Sequence, residues 1–280
     1  MISFPIEVEG IATRVLAAGS QGPPVLFLHG MANRADRWVR NLDAQAAAGR
    51  RAVAIDLPGH GYARKGAAAT CTVPAYAAFA GHFLQGLGPE PAVVVGTSLG
   101  GHVAARLAVA QPQLISAIVL VGSLGLVPIG IEARARIQAG ANNQSRAAVA
   151  AKFTRIVHDQ ALVTPEWIEE EYRVNNSPGA AESLAQLGEY IARCLDDDVA
   201  GAQLARLDLP KLLVWGELDP VVPLAVGLQA HALLPGSRLA VVKDAAHSPY
   251  LEKPQAFNRL LDDFLDGTLG RRAIEGVEIR

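Results

Sequence analysis

Short apolar runs along the chain alternate with longer segments in which apolar residues recur at helical spacing. Continuous runs such as 25–28 and 93–95 predict strands buried on both faces of a parallel sheet. The segment 73–87 places its apolar residues on one side of a helix. This alternation predicts an α/β fold with a mostly parallel sheet covered by helices on both faces. Strands are expected as an edge hairpin over 6–18 and at 25–28, 52–56, 93–95, 117–121, 211–215 and 238–242.

The pattern changes after about residue 124, and from there to about residue 207 helical segments follow one another without a buried strand. We therefore interpret 125–206 as a helical cap inserted into a core formed by 1–124 and 207–280. Alternation resumes at 211, and the tail from 270 onward is expected to be loosely held. Helices are predicted near 36–48, 73–87, 102–109, 132–139, 145–157, 165–174, 180–194 and 254–266.

Composition narrows the classes of function that fit this fold. Half of the 280 residues are hydrophobic, 19% are charged and the formal net charge is −2. A sizeable core is expected, and neither nucleic acid nor a membrane is predicted as a partner. Cys71 and Cys194 make no disulfide framework or zinc site, and the first residues do not resemble a signal peptide. We expect a cytoplasmic protein that acts on a small molecule and needs no metal or other cofactor. Whether it forms a homodimer is left open.

The most informative stretch is Gly96-Thr97-Ser98-Leu99-Gly100, which joins an apolar run to a helical pattern. Strand, sharp turn and helix are the context in which Gly-x-Ser-x-Gly forms a nucleophile elbow. The turn exposes the serine hydroxyl, while the crowding around it requires residues without side chains. The helix that starts beside Ser98 directs its N–H groups toward an anion formed there.

Further chemistry follows the predicted strands, and the carboxyl ends of parallel strands are where ligands bind. Asp219 follows the strand at 211–215, and His247 follows the strand at 238–242. A serine hydroxyl needs a base with a pKa near neutrality, and imidazole needs a carboxylate to orient it. We therefore predict a triad of Ser98, His247 and Asp219, with the backbone N–H groups of Leu99 and Met31 as the oxyanion hole. The alternative roles are a turn-capping carboxylate at 219 and a simple loop histidine at 247.

The order of these motifs resembles that of the α/β-hydrolases. Five landmarks carry the resemblance across nearly the whole predicted core: Leu28-His29-Gly30, Asp56-Leu57-Pro58-Gly59-His60-Gly61, Gly96-Thr97-Ser98-Leu99-Gly100-Gly101, Gly216-Glu217-Leu218-Asp219 and Ala246-His247-Ser248-Pro249. The resemblance implies an eight-stranded sheet, a cap domain and the same triad.

A finer likeness concerns the meta-cleavage-product hydrolases, which cleave C–C bonds in ring-fission products of aromatic degradation. Val121-Gly122-Ser123, Ala161–Thr164 and Ser177-Pro178-Gly179 are similar to segments of those enzymes. The chain departs from them at Ser248, where they have tryptophan, and near Asn176, where they have a carboxylate-binding arginine.

These observations predict a serine hydrolase for a small ester or lactone. A C–C hydrolase is the alternative within the same class. Two hypotheses of other classes are a cofactor-free lyase or oxygenase and a non-catalytic ligand receptor. Phe153, Trp167 and Tyr190 are candidates for lining an apolar substrate pocket, and packing within the cap is their alternative. His102 is expected to be a solvated helix residue, and Asp196–Asp198 a solvated helix end rather than a metal site.

Overall fold

The computed structural model describes residues 1–280. Its nine strands form one sheet in the order β1-β2-β4-β3-β5-β6-β7-β8-β9. Neighbouring strands from β4 to β8 are parallel, while β1, β2 and β9 pair antiparallel. The strands are β1 Ile2–Val8, β2 Ile11–Ala18, β3 Pro24–Leu28, β4 Arg51–Ile55, β5 Ala92–Thr97, β6 Ile115–Val121, β7 Lys211–Gly216, β8 Arg238–Val242 and β9 Val277–Ile279.

Helices cover both faces of the sheet, as the alternation predicts. The segment expected at 36–48 begins as a 3-10 helix, Ala35–Trp38, and continues as α1. The α-helices are α1 Val39–Ala47, α2 Val73–Leu87, α3 Leu99–Ala110, α4 Ile131–Asn142, α5 Arg146–Ile156, α6 Pro165–Asn175, α7 Ala180–Cys194, α8 Gly201–Leu204, α9 Leu224–Leu233, α10 Pro249–Glu252 and α11 Pro254–Leu265.

Alternation along the strands divides the core into two hydrophobic clusters, one on each face of the sheet. Leu26 and Leu28 of β3 join the cluster that includes α2 and α3. Val25 and Phe27 of the same strand join the cluster that contains Trp38 and the apolar side of α11. All five residues of β3 are buried, which explains why its sequence shows no polar positions.

The segment between β6 and β7 contains helices joined by loops and no strand, with α4 to α7 close to the predicted ranges. Thr164 caps α6, since its side chain accepts a hydrogen bond from Trp167 N–H, and Pro165 occupies the first turn. None of the helices combines the length and the apolar character needed to span a membrane.

The tail differs from the expectation of a loosely held end. Val277–Ile279 forms β9 and pairs antiparallel with β8. The terminal Arg280 exchanges backbone hydrogen bonds with Leu239 at 2.7 and 3.0 Å. This short strand is the ninth, one more than the resemblance implies.

Candidate active site

Ser98 lies at the sharp turn between β5 and α3. Its backbone angles, φ 54° and ψ −117°, belong to a region that residues with side chains rarely adopt. The neighbouring glycines make this turn possible. A Cβ on Gly96 would lie 2.2 Å from the carbonyl oxygen of Gly100, and one on Gly100 would lie 2.4 Å from that of Leu28. The strained geometry is that of a nucleophile elbow, and Ser98 is half-buried there.

The two other predicted triad residues meet directly. Nδ1 of His247 lies 2.7 Å from Oδ2 of Asp219, and both residues are buried. The second carboxylate oxygen of Asp219 accepts hydrogen bonds from the N–H groups of Val221 and Val222, at 2.8 and 2.9 Å. Asp219 is thus held by its own turn and is free to orient the His247 ring through the other oxygen.

The loop after β6 connects this pair to the elbow. Ser98 N–H donates to the carbonyl of Val121 at 2.9 Å, and the N–H of Leu124 donates to the carbonyl of Ser98 at 3.2 Å. Between these contacts lies Gly122, at φ +48°, where a Cβ would stand 3.0 Å from Nδ1 of His247. The same short loop therefore touches the serine backbone and the His247–Asp219 pair. Proton transfer between His247 and the Ser98 hydroxyl stays a prediction.

The predicted oxyanion loop faces Ser98. A Cβ on Gly30 would lie 3.3 Å from Cβ of Ser98 and 3.9 Å from its hydroxyl oxygen. His29, which starts this loop, accepts a hydrogen bond at Nε2 from Leu57 N–H at 2.9 Å, so its Nδ1 donates to the carbonyl of Gly30 at 2.8 Å. Burial lowers the pKa of His29 to about 4, so the ring is neutral at pH 7.

Two further groups support the loops around the site. Asp56 is buried and accepts hydrogen bonds from Ala35 N–H at 2.7 Å and Tyr62 N–H at 2.9 Å, while Arg14 pairs with it at 3.0 Å. It therefore ties the segment after the oxyanion loop to its own loop. His60 stands 3.1 Å from the carbonyl of Pro58, and burial lowers its pKa to about 3.

The three residues predicted to line a substrate pocket do not all lie together. Phe153 is fully buried, with the Arg37 guanidinium 4.9 Å from its ring centre and the Trp167 ring 6.3 Å away. Tyr190 directs its hydroxyl to the carboxylate of Asp198. Phe153 and Trp167 thus lie together in one cluster while Tyr190 belongs to another, and substrate contact by these residues stays a prediction.

His102, Asp196 and Asp198 differ from their expected solvated state, whereas Asp197 is exposed as expected. His102 is completely buried, and its Nε2 lies 2.9 Å from the carbonyl of Asp198. The Asp196 carboxylate accepts hydrogen bonds from the N–H groups of Ile129 and Gly130, both at 2.9 Å. The segment after α7 folds back onto α3 and the start of α4, so these side chains hold the cap segment in place.

The sequence analysis missed a buried ionic network beside the oxyanion loop. Glu171 of α6 is fully buried and pairs with both Lys152 of α5 and Arg37 of the 3-10 helix. Burial opposes ionisation of Glu171, but the charges of Lys152 and Arg37 hold its pKa below the usual value. The only signal in the sequence was a set of charged residues at helical spacing, which is also typical of a solvated surface.

A second missed residue is Glu252 of α10. Its carboxylate accepts hydrogen bonds from Ala246 N–H at 2.8 Å and from His158 N–H at 2.6 Å. It therefore joins the loop that carries His247 to the end of α5. Burial raises the pKa of Glu252, which these two N–H donors partly oppose.

A family model described as the alpha/beta hydrolase fold matches residues 23–254. The chain belongs to the α/β-hydrolase family. The family match, together with relatives named as hydrolases, confirms the prediction of a hydrolase.

Relatives within the family carry several names. The dihydrolipoyllysine-residue acetyltransferase component of the acetoin cleaving system of Cupriavidus necator is 35% identical over 93% of this chain and 68% of its own length. A 2-hydroxymuconate semialdehyde hydrolase of Pseudomonas sp. strain CF600 is 30% identical over 94% of each chain. Among solved structures, a thermophilic esterase superposes with a TM-score of 0.75 at 28% identity, over 99% of both chains. Similar proteins therefore differ in the reactions for which they are named.

Proposed function

We propose that this α/β-hydrolase is a serine hydrolase that cleaves a small ester or lactone through an acyl-enzyme on Ser98. The observation that carries the proposal is the 2.7 Å contact between His247 and Asp219, next to a loop that hydrogen-bonds to the backbone of Ser98. The carboxylate fixes the imidazole so that Nδ1 carries the proton and Nε2 is free to act as a base.

The reaction would begin with attack of the Ser98 hydroxyl oxygen on the acyl carbonyl, while Nε2 of His247 takes the hydroxyl proton. The N–H groups of Leu99 and Met31 would stabilise the tetrahedral oxyanion, and the first N–H groups of α3 have no partner within the helix. Collapse of the intermediate would break the bond to the leaving oxygen, which takes the proton from His247 and departs as the alcohol. Water would then hydrolyse the acyl-enzyme by the same steps.

Two relatives support acyl chemistry. One is named as an esterase and the other as an acetyltransferase, so both names describe the handling of an acyl group. The residues at which the chain departs from the meta-cleavage-product hydrolases point the same way. Asn176, near the position of their cap arginine, is uncharged and donates its amide to the carbonyls of Gln144 and Tyr172 at 2.8 and 2.7 Å.

A second candidate is C–C bond hydrolysis of a ring-fission product. It is favoured by the 30% identity to a 2-hydroxymuconate semialdehyde hydrolase over nearly the full length of both chains. The two candidates share Ser98 and differ in the bond that breaks, so substrate assays separate them. A p-nitrophenyl ester releases a coloured phenol, whereas a ring-fission product loses its own visible absorbance.

The test is burst release of p-nitrophenol from a p-nitrophenyl ester, together with fluorophosphonate labelling and peptide mapping. Ser98→Ala is expected to abolish the burst and the label and to lower kcat by on the order of 10⁶-fold. Ser237→Ala is the matched control, because Ser237 lies away from the elbow and its hydroxyl lies 2.8 Å from a ring nitrogen of another histidine, His231. Ester turnover retained in Ser98→Ala would refute the acyl-enzyme and favour chemistry in which His247 acts as a base without Ser98.

A further inference from the structure

The oxyanion loop is bound by side chains of the helical segment that covers it. The carbonyl oxygen of Ala32 accepts two hydrogen bonds, one from Nζ of Lys152 at 3.0 Å and one from Nδ2 of Asn175 at 3.1 Å. The two donors come from different helices, α5 and α6. The carbonyl of Ala32, the residue after Met31, is therefore bound by side chains from two helices.

Ala32 is an unusual place for such a contact. Its φ of +50° is in the left-handed region, which a residue with a Cβ adopts only where its surroundings hold it. Ala32 is buried, and its carbonyl is the group that Lys152 and Asn175 bind. The two donors are thus well placed to stabilise a backbone conformation that the chain alone would disfavour.

The other end of the loop is held by the core. Nδ1 of His29 donates to the carbonyl of Gly30, which shares a peptide plane with the N–H of Met31. In a trans peptide the C=O and N–H groups point in opposite directions. Because the Gly30 carbonyl points toward His29, the Met31 N–H points away from His29. The hydrogen bonds to the Ala32 carbonyl limit rotation of the backbone on the other side of Met31.

Lys152 is itself held in place. It pairs with the fully buried Glu171, which also pairs with Arg37. Nε of Arg37 donates to the side chain of Asn33 at 2.7 Å, so the network returns to the segment just after Ala32. An ammonium group paired in this way does not swing freely into solvent, and truncating one partner of a buried ion pair is strongly disruptive.

We infer that Lys152 and Asn175 are positioning residues that orient the oxyanion hole through the backbone of Ala32, an inference that rests on the proposed function. The helices of the cap then contribute to stabilising the transition state as well as covering the site. Neither side chain touches the reacting atoms. Their effect is confined to the direction of the Met31 N–H, which matters most when the carbonyl oxygen carries a negative charge.

The test compares Asn175→Leu and Lys152→Met with Asn176→Leu. Asn176 is the matched control, because it is the residue after Asn175 and its amide donates to the carbonyls of Gln144 and Tyr172 rather than to that of Ala32. For ester hydrolysis we expect kcat to fall by about 10- to 100-fold in Asn175→Leu and Lys152→Met, with KM within about twofold. Both constants should keep their wild-type values in Asn176→Leu.

Two further measurements separate positioning from a general loss of structure. An alkyl boronic acid, which forms a tetrahedral adduct with a serine nucleophile, should bind more weakly by the same factor as kcat falls. Amide hydrogen exchange in a peptide covering 29–33 should be faster in the two test variants than in Asn176→Leu. If Lys152→Met does not fold, because Glu171 loses a partner, Asn175→Leu decides the matter.

Unchanged kcat in both test variants would overturn the inference, and so would a raised KM with unchanged kcat, which would indicate a role in binding substrate. The proposed function fails in a distinguishable way. Wild-type protein would then neither hydrolyse esters nor bind the boronic acid. Faster exchange over 29–33 in the test variants would still support the hold on Ala32, and equal exchange in all variants would overturn it.

Discussion

Gly122 offers the sharpest test of how the His247–Asp219 pair is positioned. In Gly122→Ala the added Cβ would stand 3.0 Å from Nδ1 of His247 and 3.1 Å from Oδ2 of Asp219, the two atoms that form the 2.7 Å hydrogen bond. Both distances are shorter than ordinary van der Waals contact. The ring, the carboxylate or the loop must therefore move by a few tenths of an ångström.

Two costs add in this variant. An alanine at φ +48° carries about 1–2 kcal/mol of backbone strain, which in a chain of this size lowers Tm by several degrees, at about 2–4 °C per kcal/mol. Displacement of the imidazole lowers activity separately. A misplacement approaching ~1 Å costs about 10²-fold, and loss of the correct tautomer costs up to about 10⁴-fold. We expect kcat/KM to fall by about tenfold, which is less than the ~10²-fold of a full misplacement, because the shift needed is smaller than ~1 Å.

The control is Gly267→Ala. Gly267 has a similar φ of +66°, and a Cβ there would meet no atom within 4 Å. It reproduces the backbone strain without the contact on His247. Calorimetry should give similar decreases of Tm for the two variants, while ester hydrolysis should fall only in Gly122→Ala. Equal activity in both would show that the loop does not position the pair, and the reasoning would be refuted.

Two further predictions concern the charge on Asp219 and the neutral state of His29. Asp219→Asn keeps an oxygen that can accept from the N–H groups of Val221 and Val222 but puts an amide beside Nδ1 of His247. We therefore expect kcat to fall by about 10⁴-fold with the fold intact. A loss below about tenfold in steady-state kinetics would contradict the role of the carboxylate. The pKa of His29 is lowered from 6.5 to about 4 when folded, so the unfolded chain binds the proton first as pH falls. Stability from this group is present above pH 6.5 and is lost toward pH 4, by on the order of 3 kcal/mol. Urea unfolding across this range should show a shallower pH dependence in His29→Gln, and parallel curves would contradict the assignment.

Much of the fold could be predicted because its signals are local. Buried parallel strands are apolar without interruption, and the elbow combines glycines with a strand and a helix in a span of a few residues. The three residues of the proposed triad could be predicted because each follows such a strand. The short strand β9 was missed, since Val277–Ile279 is only three residues long and its pairing with β8 is invisible in the local pattern.

The remaining features depend on contacts between distant segments. His102 has the sequence context of an exposed helix residue, yet the segment that contains Asp198 covers it. Lys152 and Glu171 look like members of charged helix surfaces until α5 and α6 pack over the oxyanion loop. Gly122 could be noticed as a glycine after a strand, but its contact with His247 required the folded chain.

The polar contacts between the inserted residues 125–206 and the rest of the molecule end on loops and helices rather than on strands, as in the pairs Lys152–Ala32, His158–Glu252 and Ser183–Gly66. The strands of the sheet bond to one another. During evolution the insertion is therefore free to change its length and sequence without breaking the hydrogen-bonded ladder beneath it. A change that removes Lys152 or Asn175 would, however, also release the carbonyl of Ala32 beside the proposed oxyanion hole, so substrate preference and catalytic rate would then change together.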